Sequence, residues 1–123
     1  LKYRGKMPHD GVIKEMLAAG VFCLPTYTEG FPNVILESMA CGCSIIATPV
    51  GAIAEMLQFG NAHNMCGLKV DVKKVDCIKL QLDVILHDKN LRDRYRIKAT
   101  NRVNELYTVP VVWNQLQTIW KEA

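Results

Sequence analysis

The sequence predicts an α/β fold, a doubly wound parallel sheet, from three observations. Two short, continuous apolar runs, Val21-Phe22-Cys23-Leu24 and Ser44-Ile45-Ile46-Ala47, have the character of strands buried on both faces of a parallel sheet. Each run is followed by apolar residues at helical spacing, first Val34, Ile35, Leu36, Met39 and Ala40, then residues 52–57. Gly, Pro and Asn punctuate the joints, at Gly30 and Pro32, at Gly42, and at Pro49 and Gly51. Alternating strands and helices call for right-handed crossovers, which stack helices on both faces of one sheet.

Taken in order, residues 1–5 alternate like a strand running into a turn. They begin without an initiator methionine, so the chain reads as a cut through a larger protein. Pro8-His9-Asp10 offers a helix start, with Val12, Ile13, Met16 and Leu17 as the apolar face up to Ala19-Gly20. The first buried run follows, then a loop over residues 25–32 and a helix from about Asn33 to Cys41-Gly42. After the second run and the short helix of residues 52–57, a connector rich in Gly and Asn leads to a further strand, Leu68-Lys69-Val70-Asp71. Residues 75–86, 91–106 and a last segment from Val109 are helical in pattern. The last carries Val112, Trp113, Leu116, Ile119 and Trp120, a stripe that calls for packing against the sheet or a second domain.

The chemistry concentrates in EGFPNVILESMACG, which holds Glu29 and Glu37. A loop entering a helix at Asn33 points free N–H groups and the positive end of the helix dipole outward, favouring an anion by roughly 0.3–2 kcal/mol. One turn later, Glu37 falls on the side of Asn33, away from the face of Ile35, Leu36 and Met39. A carboxylate only accepts, so its partner there is a hydroxyl, each charge-assisted bond contributing roughly 1.5–3 kcal/mol. Glu29 offers the same to a second set of hydroxyls. An anion cradle between two acceptors matches ribose, diphosphate and sugar laid end to end, a nucleotide sugar. The plain alternative is a helix whose glutamates complement the dipole and bind nothing, and spacing alone does not choose between them.

The string Pro25-Thr26-Tyr27-Thr28-Glu29-Gly30-Phe31-Pro32-Asn33-Val34, continued by Glu37-Ser38-Met39-Ala40-Cys41-Gly42 and Ile45-Ile46-Ala47-Thr48-Pro49-Val50-Gly51, resembles the retaining glycosyltransferases of the GT-B type. More narrowly it is similar to the "glycosyltransferases group 1", which include sucrose synthases, bacterial glycogen synthases and transferases of cell-envelope glycans. The resemblance runs over nearly the whole chain. It implies a Rossmann-like, C-terminal donor-binding domain over residues 1–123, with residues 109–123 a terminal helix crossing toward the other half of the enzyme. It implies that Glu29, the catalytic member of the pair, contacts hydroxyls of the donor sugar and that Glu37 holds the ribose hydroxyls. Gly30, Phe31, Pro32, Asn33 and Val34 would approach sugar and diphosphate through their backbone, while Met7 and Val12 would meet the base through theirs. Gly51-Ala52-Ile53-Ala54-Glu55 departs from the family's Gly-Gly-Ile-Pro-Glu without being expected to touch the donor. The implied activity is transfer of a sugar from a UDP- or GDP-sugar to a glycan, lipid or small-molecule acceptor with retention of configuration. The implied basic Arg/Lys pair that grips the diphosphate, and the acceptor domain, would lie upstream of Leu1, so the chain alone should not turn over. A nucleotide-sugar epimerase of the same fold and a non-catalytic α/β interaction domain are the rival readings.

Composition agrees with one globular domain: half the residues are apolar and 22% charged. A net charge of +3 is too small to argue nucleic-acid binding. Lys89, Arg92, Arg94, Arg96, Lys98 and Arg102 crowd one segment, which reads as a solvated helix face or, alternatively, as a contact with anionic lipid headgroups. Five cysteines at irregular spacing form neither a zinc pattern nor an even disulfide framework and read as reduced, mostly buried thiols of a cytoplasmic protein, free or at the cytoplasmic face of a membrane. No apolar stretch reaches the roughly eighteen residues of a membrane span. There is no Asp-x-Asp to hold a divalent cation, so no metal or other cofactor is expected. Lys73 and Lys74 read as solvated, Phe31 as either a core plug or a loop residue, and His87 as a helix C-terminal residue. His9 and His63 fall in loops with no partner identifiable from sequence, and no histidine is assigned a catalytic role.

Overall fold

A computed structural model describes residues 2–122. Helix α1 (His9–Ala18) leads to strand β1 (Val21–Leu24), α2 (Asn33–Ala40), β2 (Ser44–Ala47), the single turn α3 (Ile53–Met56) and β3 (Gly67–Lys69). Three helices follow, α4 (Val75–His87), α5 (Lys89–Leu106) and α6 (Val109–Glu122). The strands form one parallel sheet in the order β1-β2-β3, with Val21 opposite Ser44 and Ile45 opposite Gly67.

β2 is buried along its whole length, and its alternating side chains divide the interior in two. Ile45 and Ala47 face Met16 of α1, Ile35 and Met39 of α2, Ile53 and Met56 of α3, and Ala99 and Val103 of α5. Ile46 points the other way, to Leu68, Val70, Ile85 of α4 and Tyr95 of α5. Helix α5 thus serves both cores, the first with its C-terminal half and the second with its N-terminal half. The doubly wound α/β arrangement is the one the sequence predicts.

Three expectations need correction. Lys2 to Gly5 form no strand: Tyr3 is 94% exposed, so the segment has no apolar face to bury, while Leu1 lies outside the described residues. β1 is only half-buried, because it is the edge of the described sheet. The last strand ends at Lys69, with the Val70 N–H donating a final bond to the Ala47 carbonyl (3.0 Å) and Asp71 turning aside to pair with Lys74 (3.0 Å). Of the two packing partners left open for α6, its own sheet is not the one used: α6 buries none of its residues, and Trp113 and Trp120 meet edge to face, centroids 5.9 Å apart, half-exposed or more.

The basic segment is a set of helix-end caps. Arg92 Nη1 donates to the carbonyls of Ile85 and Leu86 at the end of α4, both at 3.0 Å. Arg96 Nε donates to the Gly42 carbonyl just past α2 (2.7 Å), and Arg102 Nε and Nη2 donate to the Met56 and Glu55 carbonyls of α3 (2.9 and 3.1 Å). Each cation meets the negative end of a helix dipole and satisfies carbonyls that the helix cannot. Lys98 donates to the His63 carbonyl and Lys89 pairs with Asp93 (2.7 Å), while Arg94 lies over the Tyr95 ring. The segment is therefore not a uniformly solvated face. Among the described residues no helix is long and apolar enough to cross a membrane.

Candidate functional site

The parallel sheet sends the chain out of β1 at Leu24 into residues 25–32, at the carboxyl edge where ligands of such sheets bind. Hydrogen bonds tie this loop to the segment leaving β2. The Thr48 hydroxyl donates to the Thr26 carbonyl (2.6 Å) and the Ala52 N–H to the Gly30 carbonyl (2.8 Å), while within the loop the Thr26 hydroxyl donates to the Thr28 carbonyl (3.1 Å). Gly51 has φ +54°, and a Cβ there would stand 2.1 Å from the Glu29 oxygen and 2.6 Å from the Gly30 oxygen. Only glycine permits both the left-handed backbone and this approach. Gly51 thus supports the loop directly, a role the sequence signalled only as a turn.

Beyond the loop, α2 begins at Asn33 with Pro32 as its N-cap and no side-chain cap. The Ile35 N–H turns back to the Pro32 carbonyl (3.0 Å), and the N–H groups of Asn33 and Val34 have no acceptor within the helix. Gly30 and Asn33 are exposed, and a Cβ on Gly30 would meet open space. Pro32 is buried, has no N–H and spends its carbonyl on Ile35, while Val34 packs its side chain on the first core, which leaves its backbone N–H as what it offers outward. Phe31 is 55% exposed and leans on Tyr107 at 6.2 Å, so it is a loop residue and not a core plug. Tyr107 in turn lies over Arg102, linking the loop to the capping arginines.

The two acids sit differently. Glu29 is half-buried, and among the described residues no side-chain hydrogen bond or ion pair engages it. Glu37 is engaged by His9, whose Nε2 lies 2.8 Å from Glu37 Oε1. His9 therefore has a partner and opens α1, contrary to the loop position expected of it. Burial first, then the Glu37 charge, raises the Cys41 thiol above its ordinary range. His87 closes α4 as expected, its Nδ1 2.8 Å from the Asp83 carbonyl.

Met7 and Val12 come together in an apolar groove of about 280 Å³ that also takes in Arg4, Glu15 and Phe22. The Arg4–Glu15 ion pair (2.9 Å) borders it, and His9 stands between Met7 and Val12 in the chain. On the far side, Lys73, also at positive φ (65°), holds its ammonium 6.0 Å from the centre of the Tyr27 ring. Lys74 pairs with Asp71 at the surface, and both lysines are exposed, as expected. All five thiols are free, Cys43 and Cys66 buried and the other three half-buried. Among the described residues no three His, Cys, Asp or Glu side chains converge as metal ligands.

Comparison with known proteins places this geometry. The chain is 32% identical over 104 residues to the N-acetylgalactosamine-N,N'-diacetylbacillosaminyl-diphospho-undecaprenol 4-alpha-N-acetylgalactosaminyltransferase of Campylobacter jejuni, covering 85% of this chain and 28% of that protein. It is 26% identical over 122 residues to the phosphatidyl-myo-inositol mannosyltransferase of Mycobacterium tuberculosis, covering 98% of this chain and 32% of that one. The chain thus spans about a third or less of these relatives. Among solved structures, sucrose-phosphate synthase from Thermosynechococcus elongatus superposes with a TM-score of 0.84 at 24% identity, over 98% of this chain and 29% of that one. The C-terminal domain of a glycosyl transferase group 1 family protein from Francisella tularensis gives a TM-score of 0.72 at 24% identity, over 89% and 53%. Residues 1–102 match the family described as glycosyl transferases group 1, and the chain belongs to that family, with a fold of the GT-B type.

Proposed function

We propose that this chain is the donor-binding part of a glycosyltransferase that takes a hexosyl group from a UDP- or GDP-sugar, with retention of configuration and without a metal ion. The observation that carries the reading is the start of α2, without a side-chain cap, at the carboxyl edge of the sheet, beside a half-buried Glu29 that no side chain engages among the described residues and with Glu37 one turn in. The helix dipole and the free N–H groups of Gly30, Phe31, Asn33 and Val34 supply the positive field for a diphosphate, with Pro32, which has no N–H, setting the turn into the helix. Glu37 accepts from the ribose hydroxyls and Glu29 from those of the sugar. The base lies along the groove of Met7 and Val12. Rate enhancement comes from holding the donor and stabilising charge that builds on the departing diphosphate.

The relatives named above act on a diphospho-undecaprenol-linked saccharide and on phosphatidyl-myo-inositol, so a lipid-linked acceptor at the cytoplasmic face of a membrane is the acceptor class favoured here. The acceptor is bound outside this chain, α6 packs its apolar stripe on that second domain, and the chain alone is inactive. In the active protein, Glu37→Gln should weaken nucleotide binding and Glu29→Gln should mainly lower kcat, each by at least about 1.5 kcal/mol. Near-wild-type constants for both would remove the assignment. Turnover that vanishes with EDTA and returns with a divalent ion would remove the metal-independent part alone.

A further inference from the structure

One contact at this site has no part in the reading above. His9 Nε2 meets Glu37 Oε1 at 2.8 Å, joining the first residue of α1 to the second turn of α2 across 28 positions of sequence. A carboxylate only accepts, so Nε2 is the donor. The His9 side chain is 70% exposed and that of Glu37 31%, so the bond reaches from solvent to a partly sheltered acid. Exposed pairs of this kind add little to folding. Their effect falls instead on where the carboxylate stands. With Oε1 held, Oε2 has no side-chain partner among the described residues and keeps its full accepting capacity.

We infer that His9 is a positioning residue for nucleotide binding: it fixes Glu37 in one orientation and turns Oε2 toward the hydroxyls of a nucleoside. This rests on the reading of Glu37 as the ribose acceptor. Met7, two residues before His9, lines the apolar groove assigned to the base, so one short segment at the start of α1 meets both halves of the nucleoside. An unanchored glutamate would have to be ordered by the ligand itself, which weakens binding.

The test is calorimetric titration of wild type, His9→Ala and His9→Gln with UDP, with GDP, and with the dideoxyribose counterpart of whichever binds. Wild type should prefer the ribonucleotide at least about tenfold, and His9→Ala should weaken that ligand about fivefold while leaving the dideoxy ligand unchanged. His9→Gln, whose amide N–H can replace Nε2 as donor, should retain most of the preference. An undiminished preference in His9→Ala, or a Gln variant as poor as Ala, overturns the positioning role. No preference in wild type, or no binding of either nucleotide, overturns the assignment of Glu37 itself.

Discussion

Charge is used in opposite ways on the two sides of this domain. Along α5, Arg92, Arg96 and Arg102 are committed to carbonyl groups at the ends of α4, α2 and α3. At the mouth of the sheet, Glu29 has no side-chain partner among the described residues, Glu37 has one of its oxygens engaged, and the first N–H groups of α2 have no acceptor within the helix. The more charged region is thus the structural one, and the region with uncommitted donors and acceptors is the one fit to bind. A cluster of like charges in a sequence carries no functional meaning until its partners are known.

The largest effect should come from the residue that touches the mouth through backbone alone. Gly51→Ala places a methyl group against the Glu29 and Gly30 carbonyls in a left-handed conformation, and should cost about 3 kcal/mol in thermal or denaturant unfolding while also displacing the loop. Unchanged unfolding would mean that the two segments are not in contact. Next, Arg92→Ala should lower stability by about 1.5 kcal/mol or more, since it strips two helix-end carbonyls of a charged donor, and should leave nucleotide affinity unchanged. Glu37→Gln should do the reverse, lowering affinity by about 1.5 kcal/mol at constant melting temperature. If both variants moved both quantities, the division between scaffold and mouth would be lost.

The smallest effect belongs to Asp93, which Lys89 holds below the usual aspartate range, chiefly through their hydrogen bond. A depressed folded-state pKa adds stability that is complete above the ordinary value near 3.8 and is lost as pH falls through the folded one. Asp93→Asn should therefore lower the melting temperature slightly at pH 7 and not at all at about pH 2. An equal loss at both would assign the effect to packing.

Much of the architecture was legible because it is written locally. Pro32 ahead of an apolar repeat marked the start of α2 at Asn33, and continuous apolar runs marked β1 and β2. What escaped were matters of distance along the chain. Whether Val21-Phe22-Cys23-Leu24 is central or at an edge depends on strand order, and the partners of the α5 arginines lie 6 to 54 residues away. The same holds at the site. Glu29 and Glu37 announce themselves by the motif around them, whereas His9 meets Glu37 only after two helices have packed, and Gly51 meets Glu29 only after β2 pairs with β1.

The capping role of α5 has a consequence for biosynthesis. The C-terminal ends of α2, α3 and α4 are closed by side chains that follow them in the chain, so each of these three ends stays open until Arg96, Arg102 or Arg92, respectively, has left the ribosome. Nascent chains stalled at residue 88 should be cleaved readily by protease, and those extended beyond α5 should resist. The loop that carries Glu29 and the helix that carries Glu37 would then be made before, and become rigid after, the side chains that close them.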